Sequence, residues 1–539
     1  MRHLLLLLLL GFAVTFTSCR DDFEFEASNG TGLEFSRDTV YLDTVFSNIG
    51  SSTYTLKVYN RSDKDISIPS IKLGQGENSK YRLMVDGVPG KVFNNVELLA
   101  KDSMFVFIET TIDYSEYTNN NTTFLYTDQI QFSGSAGQQQ VELVTLVQDA
   151  YFLFPQRNDQ GEYEAVRYDD ELTDDGEATY VYGFNLDEAD HDNELIWNNT
   201  KPYVIYGYAT VPTGKTLTVN PGARVHFHAD SGLMVRPGAT LNINGAVSTA
   251  GTNDNEVVFE GDRLEPDFAD VPGQWGAILL MSGADNTINH LTLKNATVGI
   301  LSQRIDANTT PKLQIDNSQI YNCSNFGILA YTSNISGNNL VAGNAGQAAV
   351  GLIYGGLYNF KHSTFSNYFN AYNQVPLLVN DYIQDETTVY PAELTANFDN
   401  CIMYGSGNVG LSLEKQSTSD SFHIIFNHCL IKLVDSTNQF RNEDLYPGDA
   451  GTGNEPTVVA YNGCILARSS TRNTPNFEDP DNNKFNLFTD TTGTPEFPGA
   501  EGTADPAIAA QVPFDITGAS RPATGADIGA YESQAEPAE

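Results

Sequence analysis

Basic residues are scarce in this sequence: 29 Lys and Arg stand against 68 Asp and Glu, giving a formal charge of -39. No Lys/Arg cluster interrupts the acidity. Such a chain is repelled by phosphate backbones, which excludes nucleic acid as a partner and leaves calcium and neutral or basic ligands open. Cysteine is equally thin. The five present, Cys19, Cys323, Cys401, Cys429 and Cys464, are too few for a disulfide scaffold, and no CxxC spacing suggests zinc. Past the first residues no apolar run is long enough to cross a bilayer as a helix. What remains is a 539-residue chain with 40% hydrophobic residues, enough for two or more domains with their own cores.

Residues 1–18 read as a secretory signal, with Arg2 as the basic start and an apolar run from Leu4 to Val14. The run ends in Phe16-Thr17-Ser18-Cys19, which resembles the bacterial lipobox and implies lipidation at Cys19. The alternative is an ordinary signal peptide with a chance cysteine. Residues 19–30 form an acidic tether, and its "RDDFEFE" resembles the signal by which Bacteroidota send lipoproteins to the outer face of the outer membrane. A plain solvated tether, or the periplasmic face, is the competing expectation. The lipid is thus the expected link to the outer membrane.

From 31 to 150, short period-two runs such as "TYTLKVYN" and "SMFVFIETTI" alternate with Asn, Asp, Gly and Ser turns, predicting an antiparallel β-sandwich. Its strand order resembles immunoglobulin-like spacer domains. Residues 151–200 are aromatic and acidic, with "YDDELTDDGE" at 168–177, and read as a solvated connector; a calcium or acid/base site is the alternative. From 201 to 470 strands of three to five residues are each followed closely by a Gly-containing turn. Neither hairpin signals nor helical periodicity appear, so each coil is expected to stack on the last in a parallel β-helix. Residues 471–539 are expected to cap it.

Phe426-Asn427-His428-Cys429 looks like a metal or nucleophile pair. Six relatives argue otherwise: "INHLTL" (288–293), "IDNSQI" (315–320), "ISGNNL" (335–340), "FKHSTF" (360–365), "FDNCIM" (398–403) and "YNGCIL" (461–466). The first and sixth columns are apolar and expected to point inward. The third holds His290, Asn317, Gly337, His362, Asn400, His428 and Gly463, residue types that tolerate positive φ, so it marks a sharp bend. The fourth, with Leu291, Ser318, Asn338, Ser363, Cys401, Cys429 and Cys464, turns inward just past the bend, where buried free thiols are expected.

The stretch from Lys201, this ladder, and the closing "DIGAYE" (527–532) together resemble the right-handed parallel β-helix repeat lipoproteins of Bacteroidota, within the broad pectate-lyase-like fold. The resemblance implies an all-β chain: an immunoglobulin-like sandwich followed by a right-handed single-stranded parallel β-helix. It leaves the activity undefined.

Two clusters are candidate sites. Asp262, Arg263, Glu265, Asp267 and Asp270 share one inserted loop that returns at Trp275, and could bind calcium or a charged glycan. The alternative is an acidic surface loop with Arg263 paired to a neighbouring acid. His226 and His228, on one strand face with Val225 and Phe227 pointing inward, could take a metal with Asp230; the alternative is an exposed pair. Tyr354, Tyr358, Tyr368 and Tyr372 offer sugar-stacking platforms, although several must be core. No clustered acid set with a basic partner stands out. The expected role is glycan binding or adhesion, with a polysaccharide lyase or glycoside hydrolase, or a structural envelope protein, as alternatives.

Overall fold

The computed structural model describes residues 25–28, 32–117, 122–134, 136–168, 178–189, 193–249, 252–304, 310–385, 387–416, 421–440, 444–447, 458–469, 471–489 and 499–535. The signal, Cys19, most of the tether and residues 169–177 of the acidic run lie outside these. The chain divides into two compact units, Met1–Asp149 and Ala150–Glu539.

The first unit is a β-sandwich of one six-stranded and one five-stranded sheet around a shared apolar core. Period-two alternation builds it. In Ser103–Thr110, Met104, Val106 and Ile108 are buried while Phe105 and Phe107 face out. Pairing is mostly antiparallel, but Gln138–Gln148 runs parallel to Thr39–Phe46. The expected tether reaches into this sheet, since Glu26–Ala27 pairs with Ile66–Leu73.

The second unit is a parallel β-helix. An eleven-stranded sheet whose pairings are all parallel and an eighteen-stranded sheet enclose one continuous core. First-column residues stack along that core: Phe360 on Phe398 at 5.7 Å, Phe398 on Phe426 at 5.0 Å and Phe426 on Tyr461 at 5.1 Å between ring centroids. The bends sit where expected, at φ of 49° for His290, 48° for Asn317, 46° for His362, 51° for Asn400, 49° for His428 and 62° for Gly463.

One coil departs from the expected register. Ile315 pairs with Gly337, so the bend of that coil is Asn339, at φ 52°, and the fourth-column residue is the buried Leu340 instead of Asn338. Its first- and sixth-column residues, Gly337 and Ala342, are both small, and the Phe360 ring of the next coil lies 3.2 Å from where a Cβ on Gly337 would stand. A template built on large apolar residues slips there.

Residues 151–200 are not a connector. Tyr151–Leu153 pairs with Tyr203–Ile205, Tyr180–Asn185 with Tyr208–Val211, and Ile196–Trp197 with Thr216–Val219. Described acidic residues such as Asp159, Glu162 and Glu188 are exposed and outside the strands, whereas Leu153, Phe184, Leu195 and the fully buried Trp197 join the helix core. Charge outside and apolar burial inside coexist in one segment.

The described residues 471–489 and 499–535 pack along the side of the helix instead of closing its end. On the later strands of the eleven-stranded sheet the outward positions include Val341, Ile402 and Leu430, which need cover. They receive it from Phe485, Leu487, Ile516, Ile528, Ala530 and Tyr531. "DIGAYE" accounts for itself residue by residue. Asp527 accepts from the N–H of Gly502 and Ser533, and Ile528, Ala530 and Tyr531 are buried. Gly529, at φ 99°, donates its N–H to the Asn400 carbonyl, and Glu532 pairs with the buried Arg521. The bend residues serve as anchors: Asn400 donates to the Asp505 carbonyl and accepts from its N–H, and Asn339 donates to the Phe514 carbonyl and accepts from Arg521.

Candidate functional site

The earlier strands of the same outer face carry polar groups where the later ones carry apolar residues. Alternation along Arg224–Phe227 turns Val225 and Phe227 into the core and leaves Arg224 and His226 outside. Register then sets His226 beside Glu260 of Val257–Gly261, and Lys294 of Leu291–Lys294 beside Tyr321 of Gln319–Tyr321. Lys294 Nζ lies 2.8 Å from Glu260 Oε2, and His226 Nδ1 lies 3.6 Å from Glu260 Oε1 and 3.3 Å from the Gly261 carbonyl. One carboxylate thus bridges a cation and an imidazole on neighbouring coils.

Burial sets the electrostatics of the row. It opposes ionisation of Glu260, yet His226 and Lys294 outweigh it and hold the carboxyl below its usual value. The His226 ring is pushed toward its neutral form by burial, with Glu260 pulling the other way. Glu256, just before the strand Val257–Gly261, has its carboxyl raised by burial against the opposing 2.8 Å bond donated by the Thr292 hydroxyl. The Tyr321 and Tyr531 phenols, close to Glu256, are raised chiefly by burial. Tyr531 also donates to Gln319 Oε1 at 3.2 Å, so the C-terminal segment forms one flank of the trough.

The opposite flank holds several of the sequence candidates. His228 Nδ1 lies 2.7 Å from Asp262 Oδ2, and its ring packs on Tyr206 at 4.4 Å between centroids. His226 and His228 therefore do not act together: His226 is buried against Glu260, and His228 is exposed and bound to Asp262. Their expected partner Asp230 occupies a turn at φ 58° that leads into the other sheet. The expectation of an exposed pair fails at His226, because Glu260 and the loop after it cover the ring's side of the strand.

The acidic loop is likewise divided. Arg263 pairs with Glu265 at 3.1 Å and stacks 3.8 Å above the Phe268 ring, as the surface-loop alternative anticipates. Asp270 accepts from Asn322 Nδ2 at 3.0 Å, Asp262 faces His228, and Asp267 sits in the turn Pro266–Phe268. Gln274 and Asn295 tie the loop down through the carbonyls of Phe268, Ala269 and Val271. The carboxylates do not converge. Among the described residues no group of three or more His, Cys, Asp or Glu is arranged to hold a metal ion.

Phe426-Asn427-His428-Cys429 is not a catalytic pair. His428 faces outward, with Nδ1 3.5 Å from Asp505 Oδ2, while the Cys429 thiol lies inside, 3.2 Å from the Phe398 carbonyl. Burial and the neighbouring thiols push Cys429 well up. Of the four tyrosine platforms, Tyr358 is buried core and Tyr372 is 93% exposed.

Sequence reasoning did not single out Glu256, Glu260, Lys294 or Tyr321. Alternation in "NEVVFEGDR" marks Glu260 as outward, but its partner Lys294 follows only from the register between coils.

No family model matches this chain, and no curated protein resembles it in sequence. Among solved structures, the Agl-KA catalytic domain aligns with 76% of this chain and 91% of its own, at 12% identity and TM-score 0.18. The periplasmic chaperone SfaE aligns with 22% of this chain and 58% of its own, at 15% identity and TM-score 0.15. A PapD-like domain of human CEP192 aligns with 23% of this chain and 87% of its own, at 13% identity and TM-score 0.15. Likenesses of this size carry no argument about fold or function.

Proposed function

We propose that this chain is a lipid-anchored outer-membrane protein whose immunoglobulin-like sandwich is a spacer and whose β-helix presents a glycan-binding face. The observation that carries the reading is the half-buried polar row of Glu260, Lys294 and Tyr321 beside the Tyr206–His228 stack. Sugars are bound by such mixtures of aromatic surface with charged donors and acceptors, and the acidity of the whole chain favours neutral or basic glycans over polyanions.

Binding of neutral, basic and uronate-rich polysaccharides by the purified chain tests this, with Lys294→Met and Glu260→Gln as variants. Affinity for the bound glycan is expected to fall about tenfold in each, and unchanged affinity would remove the trough from the reading. Cys19→Ala is expected to release the protein from membranes; persistent attachment would refute the lipid anchor.

One observation favours a second reading, a glycoside hydrolase. Glu256 immediately precedes the strand Val257–Gly261 that carries Glu260, and their carboxyls are shifted in opposite directions, the pattern of an acid and its ionised partner. Release of reducing ends, lost in Glu256→Gln, would establish this reading over binding alone.

A further inference from the structure

Where the C-terminal hairpin Phe477–Asp479 and Lys484–Leu487 lies near the eleven-stranded sheet, a cavity of about 280 Å³ remains. Its walls include Tyr368, Tyr404, Phe477, Asn476 and Pro480, and Lys432 lines it as well. Tyr404 and Lys432 are outward neighbours on adjacent coils, since the preceding residues Met403 and Ile431 are paired.

Lys432 is the unusual member. The residue is only 7% exposed, yet among the described residues its ammonium makes one hydrogen bond, from Nζ to the Gly405 carbonyl at 2.6 Å, and its charge lies 4.7 Å from the Tyr404 ring centroid. Among the described residues the other two ammonium N–H bonds have no acceptor and no carboxylate pairs with it. Burying an ammonium without a counter-charge is costly, the more so in a chain with an excess of carboxylates that could have supplied one. Burial accordingly lowers the Lys432 pKa. On the other side of the cavity, the Tyr368 and Phe477 rings meet edge to face at 6.4 Å, an apolar wall of ring size.

We propose that this cavity binds a small monocarboxylate carried on a single ring, with the carboxylate completing the Lys432 ammonium and the ring lying against Tyr368 and Phe477. The volume lies just below the range of ligand sites, which run from about 300 to 1,000 Å³, and admits one ring instead of an oligomer. The site is separate from the trough and does not depend on the glycan reading. Supplying a counter-charge to a desolvated ammonium strengthens both partners, because each charge-assisted bond forms away from bulk water.

Calorimetric titration of the full chain with benzoate, cyclohexanecarboxylate and glucuronate, and with benzamide as the neutral counterpart of benzoate, tests the proposal. At least one carboxylate is expected to bind, with benzoate at least about tenfold tighter than benzamide, and affinity should fall as pH rises and Lys432 loses its proton. Lys432→Met should abolish the difference between benzoate and benzamide, while Tyr368→Ala should weaken both. If Lys432→Met does not fold, Lys432→Arg tests the same charge: it should keep the preference for benzoate and remove the fall in affinity with pH seen in the wild type, and an unchanged pH profile in Lys432→Arg would overturn the assignment. Equal affinity for benzoate and benzamide, benzoate binding unaltered in Lys432→Met, or no carboxylate binding at tens of millimolar would each overturn the assignment.

Discussion

Replacing Gly529 by Ala should undock the C-terminal segment from the side of the helix. Gly529 has a φ of 99°, outside the regions open to residues with a Cβ, and holding Ala there costs about 1–3 kcal/mol. The added carbon would stand 2.6 Å from Ile402 Cδ1 and 2.8 Å from the Thr364 hydroxyl, both on strands packed from either side. Overpacking of this kind costs about 1–3 kcal/mol more, and any shift of Thr364 also weakens the 3.1 Å bond its hydroxyl accepts from Ala530. Gly525 supplies the control: its φ of 76° is also positive, but nothing lies within 4 Å of an added Cβ. Gly525→Ala therefore carries backbone strain without collision. Limited digestion with a broad-specificity protease, following release of C-terminal peptides, reads the undocked population. When opening is fast relative to cleavage, each 1.4 kcal/mol raises the rate about tenfold. Gly529→Ala is expected to be cut about five to a hundred times faster than Gly525→Ala. Equal rates for the two variants would refute the account of why glycine stands at 529.

Three further outcomes are expected. His428→Asn should leave the melting temperature nearly unchanged, whereas His428→Val should lower stability by about 1–2 kcal/mol in chemical denaturation, because φ at 428 is 49° and a β-branched residue is strained there. His362 has its pKa depressed to about 3, first by burial and then by Arg521, so the fold holds it neutral while the unfolded chain protonates it near 6.5. Its contribution is therefore complete above pH 6.5 and lost on acidification, at up to about 1.4 kcal/mol per pH unit, and His362→Asn should flatten the stability profile between pH 6.5 and 4. Trp197→Ala should cost about 3–5 kcal/mol, measured as loss of amide-exchange protection centred on Tyr203–Ile205 and Thr216–Val219, because Trp197 is fully buried in the first coil.

The helix was legible because its bends restrict residue choice: only a few residue types sit comfortably at positive φ, and His290, Asn317, Asn400 and His428 repeat that constraint at the same point of successive coils. The register failed at Asn339 because the first and sixth columns of that coil are the small residues Gly337 and Ala342, and the Phe360 ring of the next coil fills the space beside Gly337. The first coil was hidden for a related reason. Acidic residues dominate the composition of 151–200, while the few residues that decide its fate, Trp197 foremost, are too widely spaced to form a run. Loop acids such as Asp262 and Asp270 were visible as a cluster in sequence but separate in space. Glu260 and Lys294 meet because Phe259 pairs with Leu293 across an inserted loop, and an alignment of local patterns does not count loop residues out.

The C-terminal segment gives the chain two kinds of closeness. Along the helix, each coil touches the one before it and the one after, so order can grow outward from any point. The bonds from Ala530 to Thr364 and from Tyr531 to Gln319 instead join residues 166 and 212 positions apart. Contacts of that span form late, after the loop entropy of everything between them has been overcome by coils already in place. A chain stopped before Asp527 would contain every coil and still leave part of the face bearing Val341, Ile402 and Leu430 without its cover. Docking of the last residues is thus a test of completion, passed only when the coils between have assembled in register.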